Sequence, residues 1–143
     1  MTGLWIALGV VLLALAFGGY RHLTDGRART VAAESVPHLD ARRLGSELGA
    51  QATFVQFSSP VCTPCRAMRR ILSGVVADEP DVGYVDIDAE SRLDLVQEFG
   101  ILRSPTVLVL DDAGAVRHRI TGTAPKAEIL DVLGQVRRTA DLH

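Results

Sequence analysis

Hydrophobic positions fall along the chain in three regimes. Leu4–Tyr20 (LWIALGVVLLALAFGGY) holds 14 apolar residues in 17 and no charge. As a helix it extends about 25 Å, a little short of the ~30 Å hydrocarbon core of a bilayer. Thr2, Gly3, His22 and Leu23 carry it into the interface, and Trp5 and Tyr20 sit at its two ends, where amphipathic rings favour the membrane boundary. Residues 24–37 (TDGRARTVAAESVP) keep no apolar period and read as a tether. From residue 38 the pattern becomes that of a folded domain.

Within 38–143 the periods alternate. Asp40 is placed to cap a helix over 40–49, with Leu44 and Leu48 on one face. Thr53–Phe57 (TFVQF) is a short run of β-formers and reads as a buried strand. Residues 64–77 put Cys65, Met68, Ile71, Leu72, Val75 and Val76 on one stripe and Arg66, Arg69, Arg70 and Ser73 on the other, an amphipathic helix that tolerates Pro64 in its first turn. A strand at 82–87, a helix at 91–99 closed by Gly100, and a strand at 106–110 follow. Asp111-Asp112-Ala113-Gly114 turns the chain into a strand over 115–121. A helix over 125–138 ends the domain, with Ile129, Leu130, Leu133 and Val136 inward. The order is α-β-α-β-α-β-β-α. A helix joins the first two strands, which are therefore parallel, and the last two form an antiparallel hairpin. An α/β fold with a mixed four-stranded sheet flanked by helices results.

Composition changes this picture only locally. The 48% hydrophobic content of the 143 residues is raised by the first helix, and a domain of just over 100 residues buries a core without staples. A net charge of −2 argues against nucleic-acid partners. Two cysteines exclude a disulfide scaffold and a four-cysteine zinc site. The first helix reads as a retained single-pass anchor. A cleaved signal peptide is the competing reading, and Ala14-Leu15-Ala16 offers a small-residue site; signal peptides carry Lys or Arg ahead of the apolar core, and Met1–Gly3 has none. Arg21, Arg27 and Arg29 follow the helix, and the positive-inside rule places the domain in the cytoplasm.

The sharpest local chemistry is Cys62-Thr63-Pro64-Cys65, after a strand and at the opening of a helix. Cysteines three apart on a helical turn are close enough to bridge, and the ring is too small for the bond to restrain the unfolded chain much. Cys62, at the helix N-terminus, is favoured as a thiolate and is the nucleophile; Cys65, a turn inside on the apolar stripe, is buried and resolves. A metal half-site and inert thiols are the alternatives, with His38 and His118 as the domain's further candidate ligands, at no ligand-like spacing. Arg66, Arg69 and Arg70 read as a solvated helix face, and Asp86, Asp88 and Glu90 as a solvated strand end. No signal for an organic cofactor is present.

FVQFSSPVCTPCRAM, YVDIDAES, GILRSPTVLVL and GTAPKAEILDVL, taken together over residues 38–138, resemble the thioredoxin family. The resemblance implies the thioredoxin-like fold, a cis proline at Pro105 beside the cysteines, and a Ser104 backbone open to an extended substrate. It also implies disulfide-containing protein substrates and a dithiol electron donor, a thioredoxin reductase or, for an outward-facing domain, a membrane dithiol carrier. Two positions depart from the pattern. Val61 stands where the family has tryptophan, which removes a large aromatic from the substrate-facing rim. Gln56 stands where it has a buried acid, and an amide cannot take the resolving cysteine's proton. These departures leave a second reading, a non-catalytic thioredoxin-fold module that binds a membrane partner.

Overall fold

The computed structural model describes residues 1–24, 28–30 and 36–142. Helix α1, Thr2–Thr24, is apolar along Thr2–Tyr20, and those residues are exposed. Its length of about 34 Å and its composition fit a membrane span or a signal sequence. After it come β1 (Ala28–Thr30), α2 (Ala41–Leu44), β2 (Ala52–Ser58), α3 (Thr63–Asp78), β3 (Val82–Asp88), α4 (Leu93–Glu98), β4 (Thr106–Asp111), β5 (Val116–Thr121) and α5 (Lys126–Ala140).

The four expected strands are present, with β2 and β3 parallel and β4 and β5 antiparallel. The sheet also has a fifth strand. Its order is β1-β5-β4-β2-β3, with β1 antiparallel on the β5 edge. Three residues of the segment read as a tether are therefore laddered to the domain. A three-residue strand at a sheet edge is held by main-chain hydrogen bonds, which leave no side-chain period to read.

The sheet is buried on both faces. Phe54, Val107 and Val109 point to one side and pack with Met68, Leu72 and Val75 of α3 and Ile129, Leu133 and Val136 of α5. Val55, Phe57, Leu108 and Leu110 point to the other and pack with Leu44, Leu95 and Phe99. Alternation along β2 and β4 supplies both faces, as the period-2 geometry of a strand requires.

Two helix readings are corrected. The helix begun by Asp40, whose Oδ1 accepts from the Arg43 backbone N–H at 2.8 Å, stops at Leu44 rather than 49. Gly45 turns left-handed at φ 70° and returns its N–H to the Ala41 carbonyl, which closes the helix. On α5 the inward stripe is Ile129, Val132, Leu133 and Val136, and Leu130 is 41% exposed. Spacings of three, one and three residues keep one face; Leu130 sits about 100° round from Ile129.

His118, in the middle of β5, is buried, and burial lowers its pKa. The unfolded chain therefore takes up a proton near pH 6.5 that the folded chain takes up only at lower pH. The group's contribution to stability is present above about 6.5 and is lost as the pH falls toward the folded pKa, by at most about 1.4 kcal/mol per pH unit. Urea midpoints at pH 7.5 and 5.5 are expected to fall more for the wild type than for His118→Gln. Equal shifts would remove His118 from the account.

Candidate active site

Cys62 lies between the C-terminal end of β2 and the first turn of α3 and is the N-cap of that helix. Its Sγ accepts from the Cys65 backbone N–H at 3.2 Å, filling the place of a capping oxygen. Pro64 occupies the first turn, where a missing N–H costs nothing. The two cysteines are joined as a disulfide with their Cα atoms 5.2 Å apart. They differ in access: Cys62 is half-buried, whereas Cys65 is 1% exposed on the apolar stripe of α3.

The proline loop reaches the same place along the sheet. Phe57 of β2 is paired with Thr106 of β4, so the segment leaving β2 toward Cys62 and the segment entering β4 from Pro105 leave the sheet at one end. The Ser104–Pro105 bond is cis. Pro105 is buried and its carbonyl accepts from the Gly122 N–H at 2.8 Å; Ser104 is half-buried. Val61 is 98% exposed beside Cys62, and Leu102, three residues before Pro105, is 95% exposed.

Beneath the cysteines, Gln56 is fully buried and holds the start of α3 to the sheet. Its Nε2 donates to the Cys65 carbonyl at 2.9 Å and to Ser58 Oγ at 3.0 Å, and its Oε1 accepts from the Tyr84 hydroxyl at 2.9 Å. Ser58 Oγ donates in turn to Asp86 Oδ1 at 2.6 Å, and Arg69 Nε donates to Asp86 Oδ2 at 2.8 Å. The pKa of Tyr84 is pushed up to about 12, first by burial and then by the Asp86 carboxylate, so its hydroxyl remains a donor at ordinary pH.

This network adds to two sequence readings. Asp86 at its strand end and Arg69 on its helix face are exposed, as expected, and they also pair with each other. Sequence reasoning missed Ser58 and Tyr84 as partners of Gln56, and Asp86 as the carboxylate joined to it through Ser58. Gln56 and Asp86 are direct partners in the β2–β3 register, and register is what the sequence lacks. The nearest carboxylate in the network thus sits one strand away from the buried amide. An open cleft of about 320 Å³ beside Ser58, Ser59, Pro60, Arg69, Asp86 and Asp88 brings solvent to this side of the turn.

The arrangement is suited to thiol–disulfide exchange, with an accessible sulfur at a helix N-terminus and a second one shielded a turn inside. Among the described residues, no group of three or more His, Cys, Asp or Glu side chains is placed to hold a metal ion.

Comparison with known proteins gives the same assignment. The Thioredoxin family model matches residues 36–135. A thioredoxin of Streptomyces coelicolor is 30% identical over 84 residues, 59% of this chain and 62% of its own. NADPH-dependent thioredoxin reductase 3 of Arabidopsis thaliana is 35% identical over 75 residues, 52% of this chain and 14% of its own. The crystal structure of a thioredoxin from Nicotiana alata is 32% identical, covers 62% of this chain and 75% of its own, and superposes with a TM-score of 0.54. The chain spans less than two thirds of the length of the first curated relatives it matches.

Proposed function

Because the chain belongs to the thioredoxin family, we propose that it is a membrane-anchored thiol–disulfide oxidoreductase working chiefly as a protein-disulfide reductase. The observation that carries this reading is the unequal access of the two bonded sulfurs at the start of α3.

In the reduced protein the backbone N–H groups at the start of α3 favour the Cys62 thiolate. That thiolate attacks one sulfur of a substrate disulfide. A mixed disulfide forms and the substrate's other sulfur leaves as a thiolate. Cys65 then loses its proton and attacks Cys62 Sγ. The Cys62–Cys65 bond forms, the mixed disulfide breaks, and the second substrate sulfur leaves. Two electrons pass from the dithiol to the substrate. A dithiol donor, thioredoxin reductase or a membrane dithiol carrier, returns them.

Gln56 cannot accept the Cys65 proton. It instead fixes the Cys65 backbone through the carbonyl, so the proton must leave by way of water rather than to a buried carboxylate at this position. Ser104 offers main-chain groups to an extended substrate segment, and Val61 gives the rim a small apolar contact in place of a large aromatic. Arg21, Arg27 and Arg29 support a domain facing the cytoplasm, where dithiols are kept reduced.

The test is a trap. With Cys65→Ser, resolution is blocked, and partners are expected to accumulate as adducts through Cys62, seen as high-mass bands that collapse on adding reductant. Absence of such bands, together with wild-type behaviour of Cys62→Ser cells, would sink the enzyme reading and leave the binding module.

A further inference from the structure

We propose that the end of the sheet carrying Cys62 faces the bilayer, so that the disulfides this protein exchanges lie at the membrane surface, on partner proteins held in the same membrane. The inference rests on the anchor reading of α1 and adds an orientation to it.

Strand register supplies the orientation. β1 runs antiparallel to β5, with Ala28 opposite Ile120 and Thr30 opposite His118. Thr121 of β5 is opposite Thr106 of β4, and Thr106 is opposite Phe57 of β2. Ala28, Thr121, Thr106 and Phe57 therefore share one end of the sheet, the end from which the Cys62 turn and the Ser104–Pro105 loop project. The chain leaves α1 at Thr24 and enters the sheet at that same end.

Covalent length then limits how far this end can lie from the anchor. Thr24 and Ala28 are four Cα–Cα steps apart, at most about 15 Å at 3.8 Å each. From Ala28 across β5 and β4 to β2 is three strand spacings, about 14 Å. The β4–β5 turn at Asp111–Ala115 lies at the opposite end, about 20 Å further along a six-residue strand. A short connection thus favours the orientation with the cysteine end toward the headgroups and the hairpin turn away from them.

The surface at that end agrees. From residue 36 onward, Val61 and Leu102 are the most exposed large apolar side chains, at 98% and 95%. One adjoins Cys62 and the other lies in the loop leading to Pro105. Exposed apolar side chains at this end suit a contact zone at the membrane–water boundary.

The test uses the full chain in vesicles of neutral and anionic phospholipid containing a headgroup-nitroxide lipid. A bimane fluorophore is placed on Cys62 in the Cys65→Ser variant, or on the Asp112→Cys variant made in a Cys62→Ser, Cys65→Ser background. Both chains are expected to float with the vesicles, and the Cys62 label to be quenched several-fold more than the label at position 112. Inserting about 20 Gly/Ser residues between Thr24 and Ala28, roughly 25 Å end to end, is expected to erase the difference. Equal or reversed quenching on a floating chain overturns the orientation alone. A chain that fails to float overturns the anchor reading and the orientation with it.

The substrate claim has its own readout. The reduced wild-type chain in the same vesicles is expected to reduce a lipid-linked disulfide peptide several-fold faster when the disulfide adjoins the headgroup than when a long Gly/Ser spacer carries it outward. Equal rates overturn the membrane-surface preference.

Discussion

Gln56→Glu is expected to be nearly as stable as the wild type near pH 4 and less stable by about 3–4 kcal/mol at pH 7. The reason lies in what surrounds the side chain. At its Nε2 the amide donates to the Cys65 carbonyl and to Ser58, and at its Oε1 it accepts from Tyr84. A protonated glutamic acid can donate to that carbonyl and accept from Tyr84. An ionised one puts negative charge against a carbonyl oxygen, in a fully buried site, next to a serine already hydrogen-bonded to the Asp86 carboxylate. Burial and the like charge both raise the folded pKa above the unfolded value of about 4.3. A raised acid contributes its full stability below the unfolded pKa and loses it as the pH rises. The loss is about 1.4 kcal/mol per unit while the folded form stays protonated, which gives the figure at pH 7. Urea unfolding of both oxidised proteins from pH 4 to 8 measures it. A difference that stays flat with pH would show that the carboxylate finds solvent.

Gly49→Ala is expected to cost about 3 kcal/mol, the upper part of the overpacking range. A Cβ at Gly49 would stand 2.2 Å from the Ala52 carbonyl oxygen, 2.3 Å from the Gly83 nitrogen and 2.9 Å from the Asp81 carbonyl oxygen. All three are main-chain atoms, and two belong to the start of β3 and the turn before it, so relief requires moving the β2–β3 edge. Gly74→Ala is the control: nothing lies within 4 Å of its Cβ, and an alanine inside α3 is expected to gain about 0.5–1 kcal/mol. Chemical denaturation with the disulfide intact reads both. An unchanged midpoint for Gly49→Ala would mean the edge is more yielding than its spacing indicates.

What the chain disclosed about itself depended on the kind of force involved. Elements driven by apolar burial were legible: β2, β4 and the stripe of Cys65, Met68, Leu72 and Val75 follow from period alone. So was the cysteine turn, because a cap position, a first-turn proline and two thiols are local. Elements held by main-chain pairing were not. β1 carries no apolar run and exists by laddering to β5. The amide network was half legible, since Gln56 could be read as a buried hydrogen-bonded residue, but its partner Tyr84, and Asp86 joined to it through Ser58, are set by a register of 28 to 30 residues' separation. The exchange of Leu130 for Val132 on the inner face of α5 shows the usual weakness of phase: both fit an apolar helix, and packing against the sheet chooses.

Cys62 is bound to its helix as well as to Cys65, since its sulfur takes the Cys65 N–H that a serine or aspartate oxygen would otherwise cap. Folding by itself would be served better by an oxygen there. The choice of sulfur at that position is therefore a signature of chemistry rather than architecture. It also means that an oxygen analogue can stand in the same place and keep the helix start intact, so loss of exchange in Cys62→Ser separates the reaction from the scaffold.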